Sequence, residues 1–524
     1  MSQSTALAPT TTANKWIITS AVVFGAFLAV MDISVVNVSL PHMMGTFSED
    51  ISSITWVATA YSIAEIIMVT MAGWWSTVIG RKRLYLFSFG LFTVGSILCG
   101  TATTFTQMLI YRIIQGIGGG SLIPISQAIL RETFPPEEQG MAMAIYGMGV
   151  VLAPAMGPMV GGWLTDHYGW PWIFYINVPF SIIGILMVAT FVHDPPYLRR
   201  GIKRVDWLGI ALMSVALTSL QIVMERGQHE NWFESRSICI GTTVCILSLL
   251  GLIYWELSTD EPVVNFRILR NGLLSIGSFM GIVFGMVLFG STFILPQFTQ
   301  NLLGYPAFDA AMILAPRAMM LMICMPIAGR LYQYIDARFL VLFGILVTGW
   351  AYHDLAQLSL SVGFWDLVPI LIIMGIGLPF VFVTMSTVSL STIPREDMTD
   401  AASIYTLARR IGGNLGYALA ATIVARGVQI HRVPMISHIN PYNPNWVEFQ
   451  HKAVSLLEQT GMSPTQLKQG SPALANYMIA RQATMMAYND VSIIMGLMFL
   501  ALLPTILLLP SRKKITERLK RMNA

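Results

Sequence analysis

Long runs of apolar residues recur along the chain, separated by short polar stretches, without the period-two alternation that marks a half-buried strand. Each run is long enough to cross the roughly 30 Å apolar layer of a bilayer as a helix, which takes about 20 residues. The pattern predicts spans near residues 16–40, 54–79, 84–103, 107–130, 141–164, 171–193, 205–224, 237–257, 273–295, 307–331, 338–358, 366–392, 398–426 and 487–510. The first run follows a Ser/Thr/Ala-rich tail with almost no charge and lacks a convincing cleavage site, so it reads as a retained helix rather than a signal peptide. The expected fold class is an all-α polytopic membrane protein.

Lys and Arg are retained on the cytoplasmic side of short loops, and here they alternate with the spans. Arg81, Lys82 and Arg83, then Arg131, then Arg199, Arg200, Lys203 and Arg204, then Arg267 and Arg270, and finally the tail from Arg512 to Arg521 fall on one side. The opposite loops are nearly bare, with Arg226 and Arg236 the main exceptions. Both termini are therefore expected in the cytoplasm. The organisation reads as a tail over 1–15, a six-helix half over 16–198, two inserted helices with their flanking loops over 199–272, a second half over 273–510, and a basic tail over 511–524. Residues 427–487 form an outer loop with some helix of its own, and its dispersed His431, His438 and His451 read as surface residues. Two halves of this kind are how many secondary transporters are built, with the substrate site where they meet.

Composition narrows the function. Hydrophobic residues make up 55% of the 524 and charged residues only 11%, and mean hydropathy is +0.64, whereas soluble domains run near a quarter charged. The net charge of +4 implies no nucleic-acid role in a chain with so little charge. Cys99, Cys239, Cys245 and Cys324 lie in apolar stretches without Cys-x-x-Cys spacing, so neither a metal site nor a disulfide framework is expected. The chain has no Gly-Lys dipeptide and hence no phosphate-binding loop, no His-Glu-x-x-His helix and no Gly-x-Ser-x-Gly turn. No cofactor is expected, and energy must come from an ion gradient or from facilitation.

Charges deep in a membrane are costly and are functional hypotheses by default. Asp32 lies near the middle of the first span, where low dielectric disfavours a charged carboxylate and suits it to proton exchange; the alternative is a permanent partner to a buried Arg. Arg112, in the fourth span, has no acidic neighbour in its own helix and needs an acceptor elsewhere, either Asp32 or Glu65. A guanidinium does not give up its proton, so its use is as a fixed charge. Glu65 either faces a cavity or pairs structurally. Arg409 and Arg410 lie roughly 16 Å into the thirteenth span. In the fifth span Gly149, Pro154, Gly157, Pro158, Gly161 and Gly162 allow close helix approach and bending, a hinge or sliding seam.

Together these segments resemble the major facilitator superfamily. Arg112 to Gly120 looks like its fourth-helix motif, and Gly149 with Gly157-Pro158-x-x-Gly161-Gly162 looks like its antiporter motif. The loop Gly73 to Gly80-Arg81-Lys82 resembles the cytoplasmic latch, with Thr77 where the family usually has Asp, a departure that removes the usual carboxylate of its charge relay. Met31-Asp32 to Leu40-Pro41, Trp56 to Tyr61 and Trp170 to Pro179 look like the fourteen-span drug/proton antiporters, and the likeness to EmrB-type multidrug efflux pumps runs along nearly the whole chain, including Leu295-Pro296-Gln297, Ala402 to Gly416 and Asn440 to Asn445. The resemblance implies a major facilitator fold with fourteen transmembrane helices, in the inner membrane of a double-membraned bacterium. It implies export of hydrophobic or amphipathic drugs in exchange for protons, together with a periplasmic membrane-fusion adaptor and an outer-membrane channel. Asp32, Glu65 and Arg112 are then the proton-coupling residues, and Asn37, Tyr61, Phe293, Gln297, Tyr405 and Arg409 take cavity positions, with packing between helices as the alternative for each. The 33 methionines suit adaptable apolar surfaces. The rivals are a dedicated exporter of one natural product, such as a siderophore or fatty acid, on the same scaffold, and a membrane-embedded enzyme or sensor.

Overall fold

The structure is a computed structural model that describes residues 15–194, 205–440, 442–458 and 464–510. The two predicted tails and the basic stretch from Arg199 to Arg204 lie outside the described residues. Regular structure among them is entirely helical. The long helices are α1 Lys15–Phe47, α2 Trp56–Ile79, α3 Arg81–Gly100, α4 Phe105–Thr133 and α5 Gln139–Tyr168, then α6 Trp172–Phe191, α7 Trp207–Arg226, α8 Arg236–Ser258, α9 Gly272–Gln297, α10 Ala307–Leu331, α11 Ala337–Leu355, α12 Phe364–Ser389, α13 Met398–Ser437 and α14 Pro464–Leu500. Eleven are apolar and long enough to cross a bilayer, or twelve when the two arms of the bent α5 count as one span. By the same measure α11 and α13 are too polar or too short, yet both pack inside the bundle.

The packing repeats. In the first group α1 lies on α4, α5 and α6, α2 on α4, and α3 on α4 and α6; the second group reproduces every one of these pairs as α9 on α12, α13 and α14, α10 on α12, and α11 on α12 and α14. The groups meet through α2 with α13 and, in the mirrored place, α10 with α5. Helices α7 and α8 pack on each other, and α7 touches α2 and α13, one helix from each group. Leu247, Leu250 and Tyr254 on α8 remain exposed, as expected of a face that meets lipid rather than protein.

Glycine sets how closely the paired helices approach. A Cβ on Gly157 of α5 would overlap Ser34 of α1, and one on Gly161 would press on Val35. The mirrored pair does the same, with Gly412 and Gly416 of α13 against the backbone of Ile282 and Met286 on α9. Pro154 and Pro158 cannot donate backbone hydrogen bonds, and α5 bends by 45° between Pro154 and Met156. Gly157→Val is expected to wedge α1 from α5 and cost about 1–3 kcal/mol, the usual penalty of overpacking. Gly162→Ala, whose Cβ would find only Val38 at 4.0 Å, should be tolerated. Thermal melting in detergent checks both, and equal melting of the two variants would disprove the close contact.

Between residues 427 and 487 the chain is more ordered than the sequence suggests. α13 runs on to Ser437 and α14 begins at Pro464, with a further helix over Pro444–Glu458 between them. Gly427 packs on Ala487, His431 Nε2 is 2.6 Å from Asp490 Oδ2, and Arg432 donates to Asn476 at 2.6 Å. Loss of hydropathy marks where a helix leaves the apolar layer, not where it stops being helical, so the helices that carry the predicted spans 398–426 and 487–510 extend beyond them into the segment between. His431 is thus an interhelical partner rather than a free surface residue.

Candidate functional site

The most deeply buried charge pair among the described residues joins Arg112 and Asp32. Arg112 Nη1 donates to Asp32 Oδ2 at 2.6 Å and to Gln115 Oε1 at 2.6 Å, while its Nε donates to the Val57 carbonyl at 3.0 Å. The other Asp32 oxygen accepts from Gln115 Nε2 at 2.8 Å and from Asn177 Nδ2 at 2.9 Å. Gln115 also donates to Ser96 Oγ at 2.9 Å. Asp32 is 1% exposed, and Arg112, Gln115 and Asn177 are wholly buried. The guanidinium carbon lies 4.3 Å from the centre of the Tyr61 ring, and the Tyr61 hydroxyl donates to the Ala29 carbonyl at 3.2 Å. Helices α4 and α6 therefore supply three donors to the Asp32 carboxylate of α1, with α2 and α3 bonded to those donors, and a buried charge held by this many donors is the arrangement that offsets its desolvation. Of the two acceptors open to Arg112, Asp32 is the one it takes.

Glu65 is bound across the groups instead. Arg410 of α13 donates to Glu65 Oε2 of α2 at 2.5 Å. Glu65 is 1% exposed, whereas Arg410 keeps 15% of its side chain accessible. Nearer the end of α2 that follows the α1–α2 turn, Thr59 donates to Glu225 of α7, Gln221 donates to the same carboxylate at 2.5 Å, and Asn414 of α13 donates to Gln221 at 2.5 Å.

The opposite end, where α2 turns into α3, is shut. Gly80 has φ +89°, a left-handed turn that glycine adopts without a Cβ clash. The turn directs Arg81 across the interface, where its Nε donates to Thr399 Oγ1 at 2.7 Å, its Nη2 to the Arg395 carbonyl at 3.0 Å, and its Nη1 to Glu132 of α4. Glu132 supplies a carboxylate to the latch that Thr77 cannot. Thr77 bonds its own helix at the Trp74 carbonyl, 2.8 Å away, while Gly73 receives Asp400 against its backbone. Among the described residues Lys82 bonds within the first group, its Nζ to the Ala189 carbonyl at 2.6 Å and its backbone N–H to Asp194 at 2.7 Å. Burial and the neighbouring Glu396 push the Asp397 carboxyl, at the start of α13, above the usual range. Gly140 of α5 and Gly329 of α10 close the same end backbone to backbone.

A cavity of about 840 Å³ occupies the other end, between α1, α5, α9 and α10. Its wall is mostly apolar, from Val38, Val151, Leu288, Leu314 and Leu321, and includes Pro154, Pro158 and Gly162 of the fifth-helix motif. Arg317 of α10 reaches it at 7% exposure, with an Nε that has no hydrogen-bond partner. None of the six predicted cavity residues lines it in this conformation. Asn37 is exposed, Tyr61 lies under Arg112, Phe293 packs its ring on Tyr417 at 5.5 Å, and Gln297 sits between the lining residues Pro296 and Gln300. Tyr405 and Arg409 are buried in the seam between groups, Arg409 5.3 Å from the Phe382 ring. Arg317, Gln115, Asn177 and Glu225 were not singled out from sequence. Only Arg317 carried a direct signal, a charge deep within the predicted span 307–331.

Comparison with known proteins gives a consistent result. The Major Facilitator Superfamily profile matches residues 22–417. The chain is 31% identical to the multidrug export protein EmrB of Haemophilus influenzae, over 93% of this chain and 94% of that one. It is 28% identical to the fatty acid resistance protein FarB of Neisseria gonorrhoeae, over 92% and 93%. Among solved structures, the proton:xylose symporter XylE superposes with a TM-score of 0.57 at 13% identity, over 95% of this chain and 96% of that one.

Proposed function

The chain belongs to the major facilitator superfamily, and from that premise we propose that it exports hydrophobic and amphipathic drugs by alternating access, in exchange for protons. The observation that carries this reading is the Asp32 cage: a membrane-buried carboxylate held by Arg112, Gln115 and Asn177 is too costly to be incidental. Protonation would cancel its attraction to Arg112 and loosen the α1–α4 contact, and a change in that contact is what a transport cycle needs. The basic end is read as cytoplasmic, which makes the present state outward-facing, with the Arg81 latch shut and the cavity turned away from the cytoplasm. An apolar wall with Arg317, Asp166 and His167 as its ionisable side chains suits compounds that carry an apolar body and a polar or charged group.

The likeness to EmrB supports a further part of the reading, that the chain is the inner-membrane component of an assembly with a periplasmic adaptor and an outer-membrane channel. The helical extension past Gly427 supplies a surface on the correct side.

Purified protein in liposomes holding a pH-sensitive dye, challenged with ethidium and with decanoate under an imposed proton gradient, tests the central claim. Wild type should move protons when a compound is present, and Asp32→Asn should lower that flux at least about tenfold, the typical scale for loss of a positioned acid–base group. Proton flux in the variant equal to wild type, or none in wild type with either compound, overturns the proposal.

A further inference from the structure

We propose that Glu225, on the first of the two inserted helices, is a relay carboxylate that shares Arg410 with Glu65, so that the inserted pair takes part in proton exchange. The inference rests on the proton-coupled reading above and assigns the route by which the proton arrives.

The geometry is a three-helix junction built from all three parts of the chain. Glu225 of α7 accepts from Thr59 of α2 and from Gln221 of its own helix. Gln221 accepts from Asn414 of α13, one helical turn from Arg410, which holds Glu65 of α2. Both direct donors to Glu225 are neutral. The cations that act on it, Arg410 and Arg226, are engaged elsewhere: Arg226 donates to the Ser52 carbonyl at 3.1 Å and lies 5.1 Å from the Trp56 ring. The Tyr417 hydroxyl also faces Arg410. One guanidinium thus lies within electrostatic reach of two carboxylates and is hydrogen-bonded to one of them, Glu65.

Position gives the two acids an order. Thr59 and Glu65 are six residues apart on α2, about 9 Å along the axis, so Glu225 sits nearer the cavity end of the bundle than Glu65. Glu65 in turn feels Arg112 and Asp32, whose cage lies level with Thr59 because Arg112 bonds the Val57 carbonyl and covers the Tyr61 ring; Glu65 is thus the acid furthest along α2 from the outer end, within electrostatic reach of both others. The step balances as an exchange of partners. A proton resting on Glu225 passes to the Glu65 carboxylate as Arg410 moves from Glu65 to Glu225; one acid is neutral and one is ion-paired before and after, and no other bond changes. Because α2 and α13 belong to different groups, moving Arg410 changes the contact between them, which is how a proton can bias the conformation.

Glu225→Gln in the full chain, reconstituted in liposomes, tests this with two readouts. Exchange of ethidium or decanoate without a proton gradient should persist. Uphill, proton-driven transport should fall about tenfold, with its pH midpoint displaced to more acidic values by about one unit, a tenfold change in proton affinity, because Arg410 is then left wholly to Glu65. Glu225→Asp should recover part of the driven transport. Loss of gradient-free exchange together with driven transport would assign Glu225 a structural role and overturn the relay, as would driven transport with a wild-type pH profile. If wild type accumulated substrate uphill with no accompanying proton flux, the proton-coupled reading would fall and the relay with it; wild-type coupling beside an unaffected variant would remove only the relay.

Discussion

Arg112→Met, with Asp32 left in place, will destabilise the protein by about 3–5 kcal/mol, the usual cost of orphaning one member of a buried ion pair. Asp32 would keep the amide donors of Gln115 and Asn177 but lose the only charge that meets it directly, and at 1% exposure it has no route to water. Removing the guanidinium also strips the Val57 carbonyl of its donor and Tyr61 of the cation over its ring. The double variant Arg112→Met, Asp32→Asn removes both charges and should regain most of the loss, since a neutral pair of similar volume avoids the desolvation of either ion. Melting in detergent, followed by size-exclusion fluorescence, measures each variant. A single variant as stable as wild type would mean that Asp32 is already neutral in the folded state, and the cage would need a different account.

Arg81→Ala will shift the resting protein toward a state open at the basic end. Two of the bonds it removes, to Thr399 and to the Arg395 carbonyl, cross between the groups, and hydrogen bonds from a charged donor contribute about 1.5–3 kcal/mol each. A net bias of about 2 kcal/mol after rehydration is roughly a thirtyfold change in the ratio of the two states. Hydrogen exchange over residues 395–401 should quicken accordingly. Lys82→Ala is the matched control, because the bonds of Lys82 stay within the first group. Unchanged exchange in Arg81→Ala would show that the latch does not hold this end shut.

How much of this was legible in the sequence depended on how expensive each residue is in a membrane. Asp32 and Arg112 stood out because an ion at that depth demands a partner, and the structure pairs them. Gln115 and Asn177, which complete the cage, are neutral amides common in membrane helices, so nothing in the chain distinguishes them from packing residues. Glu225 lies just past the predicted span 205–224, where an acid carries no signal of burial; the fold shows that α2 and α13 pack around it. The predicted cavity residues do not line the cavity of this conformation, and the sequence carries a reason: apolar character all round a helix leaves its rotation unspecified, so Asn37 and Gln297 could be assigned to helices but not to a face. The helix order and the repeat of six were readable from periodicity and basic loops, whereas the extension of α13 and α14 was hidden because hydropathy reports depth rather than secondary structure.

That extension has a mechanical meaning. From Gly427 to Ser437 the helix advances about 15 Å, against a headgroup layer of roughly 5–8 Å on each side of a bilayer. The paired arms are clamped by His431 with Asp490 and by Arg432 with Asn476, so they form a stiff pedestal rather than a tether. If the span of α13 ends near residue 426, as its hydropathy suggests, the helix over Pro444–Glu458 and the fully presented Tyr442 ring, 95% exposed, stand clear of the lipid surface. Any protein that grips the pump there could do so without displacing lipid, and would feel the tilt of α13 directly through a rigid stalk.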